Sequence, residues 1–206
     1  SAVHERCLLC EEPISESQTY LTYRVCPFCR FHYTLSARDR IDLMADKGTF
    51  KESHKYVSSV APISFSRRGA YRNFLSRDQN HTGLTEAAVT GRCRIDGVET
   101  MLVVLDFGFM GGSMGIVVGE KVATVMEVAA RRGLPLVAIV TGGGVKIQEG
   151  VLSLMQMAKT VTAAKRIREE GVPFFVLLAN PSTGQAYASF ANLADVILAE
   201  PGSLIG

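Results

Sequence analysis

Two groups of residues in this chain have types and spacings that could do chemistry. The first is four cysteines, Cys7-x2-Cys10 and Cys26-x2-Cys29, with fifteen residues between the pairs. This spacing fits a tetrahedral thiolate site for zinc, in which four sulfurs fill the shell and leave no open position for catalysis. Disulfides are the alternative, but SAVHERCLLC has no apolar leader, and zinc is the better reading. Cys93 is left over and reads as a small buried hydrophobe. The second group lies in LPLVAIVTGGGVKIQE, residues 134 to 149. There a β-branched run, Leu136 to Val140, ends in Gly142, Gly143 and Gly144, and a helical pattern follows from about Lys146 to Glu170. Amides left bare at a strand-to-helix turn can hold either a phosphate or a developing oxyanion.

The familiar alternatives fail on spelling. Neither glycine-rich stretch reads G-x-G-x-x-G, no Walker A lysine follows Gly115, and no G-x-S-x-G elbow occurs. His4, His32, His54 and His81 all lie outside the glycine-loop half, and Asp106, Glu120 and Glu149 form no evident pair. What remains is backbone N–H, suited to steadying an enolate or a tetrahedral oxyanion. The glycines could instead serve only close helix-on-sheet packing, a reading that fits Gly111 and Gly112 better than three in a row.

The elements that must position these residues follow from pattern. The 206 residues are 47% hydrophobic and carry a net charge of +2, which supports one sizeable core plus a small appendage. That balance gives no mandate for nucleic acid or membrane, and no run approaches a membrane span. Residues 1–34 read as a zinc ribbon whose knuckles are joined by a β-hairpin through Thr19 to Val25. Arg6, Arg24, Arg30 and His32 are its candidate nucleic-acid contacts. Residues 35–84 read as a helical linker segment: Ser36 opens a capped helix ending near Lys47-Gly48, Pro62 breaks a polar stretch, and Tyr71 to Asn80 form another helix. From 85 to 206 the texture is ββ-α-β-α-β-α-β. A hairpin turns at Asp96-Gly97, helices run from Ile116 to Arg132 and Ile147 to Glu170, and strands from Pro135, Pro173 and Asp195. A short helix runs from Ala186 to Leu193. This order calls for an α/β fold with a largely parallel sheet.

With these residues in view, a resemblance emerges. FMGGSMG (109–115), GGVKIQEG (143–150), LSLMQMAKT (152–160), ASFA (188–191) and AEPGSLIG (199–206) resemble the β subunit of the acetyl-CoA carboxylase carboxyltransferase of bacteria and plastids. The four-cysteine ribbon and SARDRIDLMADKGTF (36–50) are similar to that family as well. The resemblance implies a crotonase-like ββα spiral core preceded by a zinc ribbon, with more of the core beyond Gly206. It implies carboxyl transfer from N1-carboxybiotin, borne on a biotin carboxyl carrier protein, to acetyl-CoA. It implies also an α subunit that completes the site, in an α2β2 heterotetramer, in the cytoplasm or plastid stroma.

Carried onto this sequence, the family's oxyanion pair falls on Gly143 and Gly144. Lys146, Gly111, Gly112 and Gly184 are the substrate-binding candidates, Lys146 for the phosphates of CoA alongside Arg92, Arg94 and Lys121. Departures from the pattern are Lys146 for Arg, Gly142 for Ser, Gln185 for Gly and Asn180 for Asp. Two other functions fit the residues: a malonyl-thioester decarboxylase subunit, and a ribbon that binds nucleic acid or a scaffold on a silent core.

Overall fold

The computed structural model describes residues 3–59 and 68–206, with the side chains of 68–70 left aside. Pro62 lies outside the described residues. The core is a six-stranded sheet in sequence order, β1 (Lys51–Ser53), β2 (Ala88–Ile95), β3 (Val98–Leu105), β4 (Leu136–Gly142), β5 (Phe174–Ser182) and β6 (Val196–Ala199). β1 to β3 pair antiparallel and β3 to β6 parallel. Residues 35–84 are thus more than a helical segment, because Lys51–Ser53 add an edge strand against Arg92–Thr90.

The β2–β3 hairpin turns at Asp96 and Gly97, both with positive φ (49° and 78°), the geometry that an Asp-Gly pair supplies at little cost. Asp46 fixes that turn by accepting from the Asp96 and Gly97 amides at 2.9 and 2.8 Å. Parallel pairing then requires crossovers, supplied by α4 (Ile116–Arg132) and α5 (Val151–Glu169). α4 buries Val118, Val122, Val125, Met126 and Ala129 on the sheet and stops at Gly133, left-handed at φ 64°. After β5 the chain forms a short 3-10 turn, Phe190–Leu193, rather than a helix from Ala186.

The N-terminal unit departs from the sequence reading. Thr19 to Val25 do not form a hairpin; Gln18–Tyr23 is a helix, α1. Tyr and Thr favour strands weakly, whereas Ser17 caps the first turn by accepting from Tyr20 N–H, and Arg24 ends it at φ 54°. Isolated bridges, Arg6 with Pro13 and Val25 with His32, build the knuckles instead. α2 (Ala37–Met44) carries the expected cap, Ser36 Oγ accepting from Asp39 N–H at 3.1 Å, but ends before Lys47. α3 (Arg68–Thr82) covers the expected helix at Tyr71 to Asn80.

Candidate active site

Three glycine-bearing loops leave the carboxyl ends of β3, β4 and β5 and close on one another. A Cβ on Gly112 would stand 2.8 Å from the Cα of Gly142, and one on Gly184 would stand 2.7 Å from the Cα of Gly144. Backbone contact at that range excludes any side chain. Hydrogen bonds stitch the loops together: Met114 N–H to Gly144 O at 2.7 Å, Lys146 N–H to Met114 O at 3.0 Å, and Thr183 N–H to Gly142 O at 2.9 Å.

The amides do not behave as a free pair. Gly143 N–H donates to Gly111 O at 2.9 Å, so the expectation of two uncovered donors needs correction. Gly144 is buried, and its N–H has no acceptor among the described residues. A buried amide without an acceptor is rare and costs about 1–3 kcal/mol. Nor do these glycines open directly onto the long helix. A 3-10 turn, Ile147–Glu149, and Gly150 at φ 63° intervene, and α5 starts only at Val151.

Lys146 requires a second correction. It is fully buried, with Nζ 2.7 Å from Glu86 Oε1 and 3.8 Å from Glu149 Oε1, and cannot reach a CoA phosphate. The other cationic candidates divide. Lys121 is buried and donates to Ala88 O at 3.1 Å, Arg92 pairs with Glu99 at 2.7 Å, and Arg94 stays exposed.

Glu86, Glu149, Ser59 and Tyr71 complete a buried polar cluster that residue types alone do not reveal. Glu149 Oε1 accepts from Tyr71 at 2.9 Å and from Ser59 at 3.0 Å. Its Oε2 accepts from Ile116 N–H at 2.6 Å, which places a carboxylate on the first turn of α4, where the helix dipole favours it. Gly115 makes room, since a Cβ there would stand 2.5 Å from Oε2. The α4 N-terminus is therefore filled from within and does not offer an anion site. Glu86 also accepts from Ala87 N–H at 2.9 Å and from Ser59. Burial, reinforced by the charge on Glu149, raises the Tyr71 hydroxyl far above its ordinary range and keeps it a donor. The only trace of Glu86 in the sequence is a lone acid opening an apolar strand.

Two further acids hold the loops from outside. Asp106 accepts from Ala37 N–H at 2.7 Å and Gly108 N–H at 2.8 Å, tying α2 to the end of β3. Asp78 on α3 accepts from Met110 N–H at 2.8 Å.

At the other end, the Sγ atoms of Cys7, Cys10, Cys26 and Cys29 all lie within 4.8 Å of one another. Cys7 to Cys29 is 3.6 Å and Cys10 to Cys26 is 3.7 Å. A metal–sulfur bond of about 2.3 Å in a tetrahedron separates its sulfurs by about 3.8 Å, so the set fits a metal ion of that kind. Burial, and then the neighbouring sulfurs, push Cys29 up, although the Phe31 amide pulls the other way. As thiolates, four sulfurs this close would need a cation between them. Of the basic ribbon residues, Arg24 stacks over Tyr20 at 5.2 Å, Arg6 donates to Glu11 O at 3.0 Å, and His32 is 3.9 Å from Glu200.

The carboxyl transferase domain matches residues 34–205, more than half of the chain. This chain belongs to the carboxyl transferase family. It is 43% identical over 201 residues to the acetyl-coenzyme A carboxylase carboxyl transferase subunit beta of Synechococcus sp. (strain WH7803), covering 98% of this chain and 69% of that one. The corresponding subunit of Rubrobacter xylanophilus is 41% identical over 206 residues, covering 100% and 79%. Among solved structures, the chain resembles a transcarboxylase 12S hexamer core with hydrolysed methylmalonyl-coenzyme A bound, at a TM-score of 0.69 and 29% identity. That match covers 81% of this chain and 30% of the transcarboxylase chain. A Pseudomonas malonate decarboxylase hetero-dimer matches at a TM-score of 0.59 and 26% identity, over 80% of this chain and 61% of that chain. This carboxyltransferase chain spans less than two thirds of each of those solved chains. It is a transferase with a crotonase-like α/β core, and its relatives are named as subunits of larger assemblies. No described helix is long and apolar enough to cross a membrane.

Proposed function

We propose that this chain is the acyl-CoA half of a biotin-dependent carboxyltransferase, forming malonyl-CoA from acetyl-CoA in the cytoplasm or plastid stroma. The observation that carries the reading is the N–H of buried Gly144, without an acceptor among the described residues, at the junction of three glycine loops. Carboxybiotin, borne on a carrier protein, would supply the carboxyl group as CO2 by cleavage of its N–C bond, and the ureido nitrogen so freed would take the proton from the acetyl methyl. The chain then needs only to hold the thioester so that its oxygen, negative in the enolate, lies against the Gly144 amide. No ionisable side chain takes part in that description, and Glu86, Glu149 and Lys146 beside the loops are engaged with one another.

The four-cysteine cluster holds zinc in a structural role. A carboxyltransferase α subunit faces the glycine loops in an α2β2 assembly and brings the biotin half. Exposed apolar side chains beside the loops, Ile147, Val151 and Met155, follow one another at four-residue intervals and give that partner a stripe to cover.

The test is malonyl-CoA-dependent carboxylation of free biotin by the assembled complex, wild type against Gly144→Ala. The methyl has room, since the nearest atom is 3.9 Å away, but φ of 117° is foreign to alanine and the amide must turn. A loss of about 100-fold in kcat with the fold retained is expected, the scale of one oxyanion donor. Full activity in Gly144→Ala would refute the amide's role. The likeness to malonate decarboxylase favours one rival, a decarboxylase subunit, which would release CO2 from a malonyl thioester without biotin.

A further inference from the structure

Lys146 ties several of the site's elements together. Its N–H reaches Met114 O in the loop after β3, and its carbonyl accepts from Ser153 Oγ at 2.7 Å in the first turn of α5. Its Nζ pairs with Glu86 at the entrance to β2, approaches Glu149, and lies 5.8 Å from the centre of the Phe109 ring. Glu149 extends the same connection to the start of α4 and, through Tyr71, to α3. Taking three charges fully out of water is a poor way to gain stability, and well-packed apolar replacements often do as well or better. Geometry is the better account of what this cluster achieves.

We infer that Glu86, Lys146 and Glu149 form the positioning element that aims the Gly144 amide. Lys146 is two residues from Gly144 along the chain, and Met114 holds both, donating to the carbonyl of one and accepting from the amide of the other. Rotation of Lys146 would therefore turn the Gly144 peptide and loosen the Gly143 to Gly111 bond. None of the three residues touches substrate; they act through the loop. This inference rests on the oxyanion reading above, but its central claim, that the cluster sets the loop's conformation, can be measured without turnover.

The experiment compares wild type, Lys146→Arg, Lys146→Met and the pair Lys146→Met/Glu86→Gln in the assembled complex. Biotin carboxylation, malonyl-CoA KM, thermal midpoint and amide hydrogen exchange at Gly143 are read together. Lys146→Met and the double variant should lose about 100-fold in kcat with KM within about threefold, and Gly143 should exchange at least tenfold faster. The double variant should keep the wild-type thermal midpoint, and Lys146→Arg should restore most of kcat. Wild-type exchange at Gly143 in folded Lys146→Met or the double variant would overturn the inference. So would losses of kcat that follow the thermal midpoint. A wild-type complex without carboxylation would sink the proposed function instead, and Gly143 exchange would still decide this point.

Discussion

Gly184 lies against Gly144 with no room for a methyl group, the two backbones approaching as the loops after β4 and β5 meet. A Cβ on Gly184 would stand 2.7 Å from the Gly144 Cα and 3.2 Å from its nitrogen, the atom that bears the proposed donor. Gly184→Ala should therefore push that amide out of line and cut turnover by about 100-fold. Gly133→Ala is the matched control. Gly133 has a similar φ, +64° against +70°, but open space around it, at the C-terminal end of α4 and ahead of β4. Both substitutions incur the left-handed penalty of about 1–2 kcal/mol. Equal activity losses in the two variants would show that strain alone is at work.

Much of this arrangement is legible in the sequence, for identifiable reasons. Asp96-Gly97 between two β-branched runs fixes the hairpin because few other residues tolerate positive φ twice. The apolar spacing of Val118 to Ala129, closed by Gly133, gives α4 its bounds, and the cysteine spacing gathers four sulfurs. α1 was hidden because Thr and Tyr look strand-like, while the Ser17 cap that decides the matter is a local hydrogen bond. The cluster of Glu86, Lys146 and Glu149 was hidden for a different reason. A lysine in a sequence looks the same whether solvated or buried, and its partner here is sixty residues away. The engagement of Gly143 depends in turn on where the loop after β3 folds back, which no pattern within residues 134–149 encodes.

A buried ion pair joins the N-terminal third of the chain to its last loop. Arg40 on α2 is 2.7 Å from Glu200, and Glu200 also accepts from Asn180 N–H at 3.2 Å and approaches His32 in the ribbon. Removing one member leaves the other charge buried without its partner, which typically costs 3–5 kcal/mol. Glu200→Ala should lose stability on that scale in urea denaturation, whereas Arg38→Ala, which breaks the half-exposed pair with Glu52, should cost under about 1 kcal/mol. Similar losses in both would mean that the Glu200 contacts are incidental.

Lys121 makes a prediction about pH. Burial depresses its pKa below 10.5, Arg38 adds to the effect, and attraction from Glu86 and Glu52 only partly offsets it. A depressed folded pKa means that the group's contribution is complete above about pH 10.5, where the unfolded lysine is neutral too, and is lost as pH falls through the folded value. At neutral pH, Lys121 is thus a burden on stability. Lys121→Met, similar in length, should raise the stability at pH 7 by on the order of 1 kcal/mol, and the gain should shrink towards pH 11. Thermal melts at the two pH values check this; an unchanged or lowered midpoint at pH 7 would show that its bond to Ala88 O outweighs the burial.

The ribbon offers the last test, because so few apolar residues hold it together. Its buried cluster is Cys7, Ile14, Tyr20, Cys26 and Tyr33, and two of those five are metal-ligand candidates. A core of that size does not stabilise thirty residues unaided, so the proposed zinc ion is expected to supply the folding energy. Cys26→Ser should drop zinc from one atom per chain to none by elemental analysis, and amide exchange across residues 3–33 should become unprotected. The sheet has its own separate core, reaching from Ala37 to Ala191, and its amides should keep their protection. Chelation of the wild type should reproduce both effects, and added zinc should reverse them. Retained ribbon protection in a zinc-free sample would mean that packing against the Arg40–Glu200 region, rather than the metal, keeps this unit folded.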